Sequence, residues 1–140
     1  MRKEIYRAIC AALLGIDGAP VKHVDLWNHN VEFIEQEEAW DRPAVFVEFA
    51  PIEWRADKGG YHTQGTLRLH IVTDWVGPLS QGDESLDVFD LCETVCRAVV
   101  GLSGEHFGAL RLVGSDTNHN HEDIIENVEW YQCVAFKKLP

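Results

Sequence analysis

Along Asp83–Gly101, DESLDVFDLCETVCRAVVG, the residues Leu86, Phe89, Cys92, Cys96 and Val99 recur at spacings of three and four, with Val95 and Val100 beside them. That spacing lays one broad apolar stripe along a helix, roughly 28 Å long at 1.5 Å per residue. Gly82-Asp83 before it and Gly101 after it suit helix ends, and Asp83 and Glu84 match the positive end of the helix dipole. The stripe predicts that Leu86, Phe89, Cys92, Cys96 and Val99 face a sheet. Residues 2–14, RKEIYRAICAALL, predict a first helix with Ile5, Ile9, Ala12 and Leu13 on one face, stopped by Gly15 or Gly18 with Pro20.

Alternation of period two marks the strands. After Pro43, Val45, Val47 and Phe49 alternate with Ala44, Phe46 and Glu48, and within 65–74 Leu67, Leu69 and Ile71 alternate with Thr66, Arg68, His70 and Val72. Pro51 argues for an edge or a bulge beyond the first of these runs. Between them Lys58-Gly59-Gly60 is a hairpin tip. Because Ile52, Trp54, Tyr61 and Thr63 continue the alternation around it, the hairpin is longer than a core strand pair requires, and its far end is expected to project. Val21–Trp27 reads as a short strand, Val31–Ile34 as a second short one, and Glu35–Asp41 as loop. After the long helix come a strand at Ala109–Gly114, a polar loop SDTNHNHED, and a long strand from Ile124 to Lys137. The implied fold is α+β: a two-layer sandwich with a mainly antiparallel sheet of five or six strands and two helices on one face, in the order α-β-β-β-α-β-β. One domain spanning 1–140 is expected.

With 140 residues, 46% of them hydrophobic, a chain buries roughly two-thirds of its unfolded surface. No apolar run approaches the ~20 residues of a membrane-crossing helix, and the first fifteen residues lack a signal-peptide pattern, so no membrane partner and a cytosolic location are expected. The net charge of −11, with acidic clusters at Glu32–Asp41, Asp83–Glu93 and Glu122–Glu129, disfavours nucleic acid as a partner. Arg2, Lys3 and Arg7 at one end of the chain and Lys137 and Lys138 at the other leave an acidic middle. Such asymmetry suits head-to-tail steering of like subunits, or simply a solvated surface. Cys10, Cys92, Cys96 and Cys133 all fall in apolar stretches and read as buried free thiols; Cys92 and Cys96 stand one helical turn apart without a CxxC motif, and core packing is expected of them too.

Chemistry is sparse. No glycine-rich phosphate loop, GxSxG elbow or HExxH helix occurs. His119-Asn120-His121-Glu122-Asp123 holds two imidazoles and two carboxylates within five residues, a set able to take a divalent metal, but the same stretch fixes no third ligand and an exposed polar loop is the plainer reading. His70, beside Arg68, is expected at the surface or half-buried rather than acting as a base. Tryptophans at 27, 40, 54, 75 and 130 sit mostly at strand ends or in the hairpin, where they either mark contact surfaces or seal the rim of the core. No cofactor and no catalytic residue is expected.

The helix at 2–14, the RPAVFVEF strand, the hairpin, the GTLRLHIVTD strand, the SLDVFDLCETVCRAVVGL helix and the closing VEWYQCVAFKK strand together resemble the tail-terminator and tail-completion proteins of long-tailed bacteriophages and prophages. The resemblance covers nearly the whole chain and rests on element order and apolar spacing. It implies an α+β subunit that closes into a ring, commonly a hexamer, which caps the tail tube and joins it to the head. Implied partners are further copies of the chain, a tail-tube protein and a head-completion protein. Implied locations are the host cytoplasm during assembly and then the virion tail, and no active site is implied. The competing readings are a small metal-dependent enzyme using His119, His121 and Glu122, and a non-viral module that binds protein through its aromatic rim. For self-assembly, the hairpin residues Trp54, Arg55, Lys58 and Tyr61 are the expected subunit contact, since an isolated two-stranded ribbon is marginal in water.

Overall fold

A computed structural model describes residues 1–31, 40–118 and 123–138. Helix α1 (Arg2–Leu14) buries Ile5, Ile9 and Leu13 at intervals of four, while Ala12 is half-buried. Four strands follow, β1 (His23–Leu26), β2 (Ala44–Phe49), β3 (Arg55–Asp57) and β4 (Gly60–Asp74), then helix α2 (Asp87–Val99), then β5 (Arg111–Asn118) and β6 (Ile124–Lys138). The six strands form one mixed sheet in the order β1-β2-β4-β6-β5, with β3 paired to the start of β4. Among the described residues, β1–β2 is the one parallel pair. This is the α+β architecture that the spacing predicts.

Both helices cover one face of the sheet. Ile5, Ile9 and Leu13 of α1 and Cys92, Val95 and Val99 of α2 share a core with Val45, Val47, Leu67, Leu69, Ile71, Tyr131 and Cys133. The long helix differs from expectation in start and in phase. A 3-10 turn at Glu84–Leu86 precedes it, and the buried stripe is Val88, Cys92, Val95 and Val99. Leu86 and Phe89 are 46% and 47% exposed. With the helix beginning at Asp87, positions spaced by four and three from Val88 meet the sheet, and Phe89 lies about 100° further round.

The opposite face is partly covered by chain. A parallel pair needs a crossover, and the connection from β1 to β2 lays Val31, Trp27 and Trp40 against Ala44, Phe46, Val72 and Ile124. Of the possible strand at 31–34 only Val31 is among the described residues; it is buried, in a turn. Most of the expected loop at 35–41 also lies outside them.

Two further differences follow from strand pairing. Ser115–Asn118, expected as loop, continues β5, pairing with Glu129, Val128, Asn127 and Glu126. Backbone ladder bonds hold these polar residues on an outer strand, where side chains need no apolar partner. The hairpin is not a free ribbon: β4 pairs with β6 all along its length, from Asp74↔Ile124 to Gly60↔Lys138. At Gly60 a Cβ would stand 2.2 Å from the Lys137 carbonyl oxygen, so only glycine allows the approach.

Candidate assembly surface

The four hairpin residues come together at one end of the sheet. Arg55 pairs across β3–β4 with His62, and Ala56 with Tyr61, so Arg55 and Tyr61 lie on opposite faces. Lys58 is exposed in the two-residue turn, where its N–H donates to Asp57 Oδ1 at 2.6 Å. Trp54 and Tyr61 are half-buried rather than turned outward. Lys137 of β6 places its Nζ 5.7 Å from the Trp54 ring centre, a cation–π distance. The pairing Tyr61↔Lys137 and Gly60↔Lys138 therefore adds two more cations to the hairpin end. Beside them Val134 and Phe136 are each 47% exposed.

The other end of the sheet has the opposite character. Asp74 closes β4, and Asp83, Glu84 and Asp87 follow in the connection to α2 and its first turn. A cleft of about 520 Å³ opens there among Pro43, Asp74, Val76, Glu84, Asp87 and Ile125. Arg42 also lines it, bonded to Asp74 and 5.5 Å from the Trp40 ring. Trp75, Val76, Leu79 and Leu86, each between 41% and 57% exposed, surround this end. Sequence reasoning missed this surface. Its signal was there in WVGPLSQGDESL, a turn-rich segment that still carries four large apolar side chains.

The buried ionisable groups have structural roles. His70 is 6% exposed, against expectation, and sits between two carboxylates: Nε2 is 2.8 Å from Glu48 Oε1, and Nδ1 bonds Glu126. Trp27 stacks on the ring, with centroids 3.7 Å apart and planes 1° from parallel. Arg68 donates to Glu48 at 2.9 Å. Sealed in this way, the cluster cross-links β2, β4 and β6. On the helix face Glu129 accepts a bond from the Ser115 hydroxyl, and burial pushes its carboxyl above the usual range, with Glu93 adding to the rise. Burial first, and then Glu129 and Glu93, push the Cys92 thiol up to about 12; burial also raises Cys133. All four cysteines are free, and these two are inert core groups. His106 bonds Glu4 with both its backbone N–H (3.1 Å) and its Nδ1 (2.8 Å), which ties α1 to the loop after α2. Those bonds hold the Glu4 carboxyl below its usual value.

The tryptophans differ in surroundings. Trp27 and Trp40 seal the second cluster, Trp130 packs over Gly114, and Trp75 is exposed. His119, His121 and Glu122 lie outside the described residues. Among the described residues, no group of three His, Cys, Asp or Glu side chains is placed to hold a metal ion. No described helix is long and apolar enough to cross a membrane.

No protein-family model matches the chain, and no curated protein matches it. Solved structures do match in fold. One of them, a chain from the virion of a native gene transfer agent particle, superposes with a TM-score of 0.54 over 95% of this chain and 92% of that chain, at 14% identity. The two chains share a fold over nearly their whole lengths.

Proposed function

We propose that this chain, as a single domain over 1–140, is a virion structural protein: a tail terminator or tail-completion subunit whose ring caps the tail tube and joins it to the head. The observation that carries the proposal is the fold shared with a chain of the gene transfer agent virion across 95% of the sequence. The order of elements that suggested phage tail proteins supports it independently. Its partners are other copies of itself, the tail-tube protein and a head-completion protein, met first in the host cytoplasm and then in the virion.

The subunit contact includes Trp54, Arg55, Lys58 and Tyr61. β3 is a three-residue, exposed strand at this end of the sheet, and the outer edge of such a strand leaves backbone N–H and C=O groups open to a neighbouring chain. The test is deletion of the gene in the strain that carries it, followed by electron microscopy of induced particles. Tails of uncontrolled length, separate from filled heads and restored by the gene in trans, are expected. Normal, joined particles from the deletion strain would rule the role out.

A further inference from the structure

β4 spans fifteen residues, from Gly60 to Asp74, about 45 Å at roughly 3.3 Å per residue. Its two ends carry opposite charge. At the Gly60 end stand Arg55, Lys58, Lys137 and Lys138, with Arg2 across a small cleft from Trp54. Three acids stand near that tip against these five cations: Asp57, which accepts the Lys58 amide and lies 3.7 Å from His62, Glu105, in the cleft with Lys58, Lys137 and Lys138, and Glu53, beside Arg55. At the Asp74 end stand Asp74, Asp83, Glu84, Asp87 and Asp123. The cations there are Arg42, which bonds Asp74, and Lys22, whose amide donates to the Pro43 carbonyl at 2.8 Å.

Each end also exposes large apolar side chains, Val134 and Phe136 at the basic end and Trp75, Val76, Leu79 and Leu86 at the acidic one. Scattered singly such residues mean little, but grouped beside charge they make the core and rim of an interface. Like ends repel, so a symmetric two-fold pairing through either end is disfavoured, whereas opposite ends attract and steer encounter. The contact is then heterologous, the kind that closes a ring.

We propose that the basic hairpin end of one copy seats against the acidic cleft of the next copy, with Arg55 and Lys58 meeting Glu84 and Asp87 while Phe136 and Val134 pack on Trp75 and Val76. The proposal rests on the reading that the hairpin is a subunit contact, and it names the surface the hairpin meets. The occupant is a second copy of this chain because the chain itself supplies both complementary surfaces.

Zero-length carbodiimide coupling of the full chain at millimolar concentration tests it, using an equal mixture of isotopically labelled and unlabelled protein and mass spectrometry of the cross-linked dimers. The expected product joins the Lys58 or Lys137–Lys138 peptide to the peptide holding Glu84 and Asp87, in mixed-label form. A link with no spacer cannot span about 45 Å within one chain. That product should fall at least tenfold in E84K/D87K and also in R55E/K58E, and the two variants mixed together should recover cross-linked dimers. All four positions are surface or turn residues, so the variants should melt like the parent. Dimers linked through the hairpin to some other surface would overturn the acidic cleft as its seat and leave the hairpin contact standing. No cross-linked dimer at all would overturn both.

Discussion

Glu129 shows what a single buried carboxylate costs this fold. It is 7% exposed beneath α2, accepts a bond from Ser115, and has its carboxyl raised chiefly by burial. Above pH 4.5, the ordinary value, the unfolded chain releases this proton more readily than the folded chain, so the group opposes folding as pH rises through its folded value and beyond. Glu129→Gln, which keeps a partner for Ser115, should therefore raise the melting temperature at pH 7, with the gain vanishing below about pH 4.5; calorimetry across that range checks both. Tyr131 makes the complementary case. Its ring is fully buried and its hydroxyl has no hydrogen-bond partner other than the weak Cys96 thiol nearby. Removing a buried, poorly satisfied hydroxyl is nearly neutral or stabilising, whereas removing the ring leaves a cavity. Tyr131→Phe should change unfolding free energy by less than about 1 kcal/mol, and Tyr131→Ala should lower it by about 3–5 kcal/mol, both measured by urea titration.

For α2, what matters is which stripe meets the sheet. Phe89, predicted inside on spacing alone, is half-exposed and borders a shallow cleft with Glu93, Ser115 and Asp116, while Val95 and Val99 are fully buried over Leu69 and Ile71. Phe89→Ala should cost about 1 kcal/mol or less, within the range of surface changes that lose some packing. Leu69→Ala should cost about 2–5 kcal/mol. Equal losses for the two would mean the helix is rotated from the phase described. At the other end of the sheet the β4–β6 ladder depends on Gly60, where a Cβ would collide with the Lys137 carbonyl at 2.2 Å. Gly60→Ala should destabilise by more than about 1 kcal/mol and, more tellingly, speed hydrogen exchange at the end of β6 while leaving exchange in α2 unchanged.

On the scale of the whole molecule, charge is distributed along the sheet rather than scattered over it. Self-association that depends on opposite ends meeting should weaken as salt rises, because exposed charges are screened beyond a Debye length of about 10 Å at 0.1 M. Sedimentation at a fixed chain concentration should show less association at high salt than at low. Association that strengthens with salt would point to an interface that is apolar throughout.

Local pattern alone determined much of this protein. Helix 2–14 and its Ile5–Ile9–Leu13 face, the alternation through 44–49 and 65–74, the glycine turn and the long last strand were legible because period 3.6 and period 2 are properties of neighbouring residues. The hairpin residues Trp54, Arg55, Lys58 and Tyr61 could likewise be picked out as a group by their spacing around that turn. Tertiary structure decided the rest. The phase of α2 is settled by what it packs on: Val88, Cys92, Val95 and Val99 are buried, and Phe89, on the neighbouring stripe, is left half-exposed. The strand character of Ser115–Asn118 comes from its ladder with β6, which no local hydrophobicity announces. His70 is buried because Glu48, Glu126 and Trp27, 22, 56 and 43 residues away, surround it. The opposed charged ends exist only because the β4–β6 register carries Lys137 and Lys138 to the hairpin and sets Asp123 beside Trp75, where the acidic turn begins. Sequence lists charges in chain order, and only the folded sheet sorts them in space.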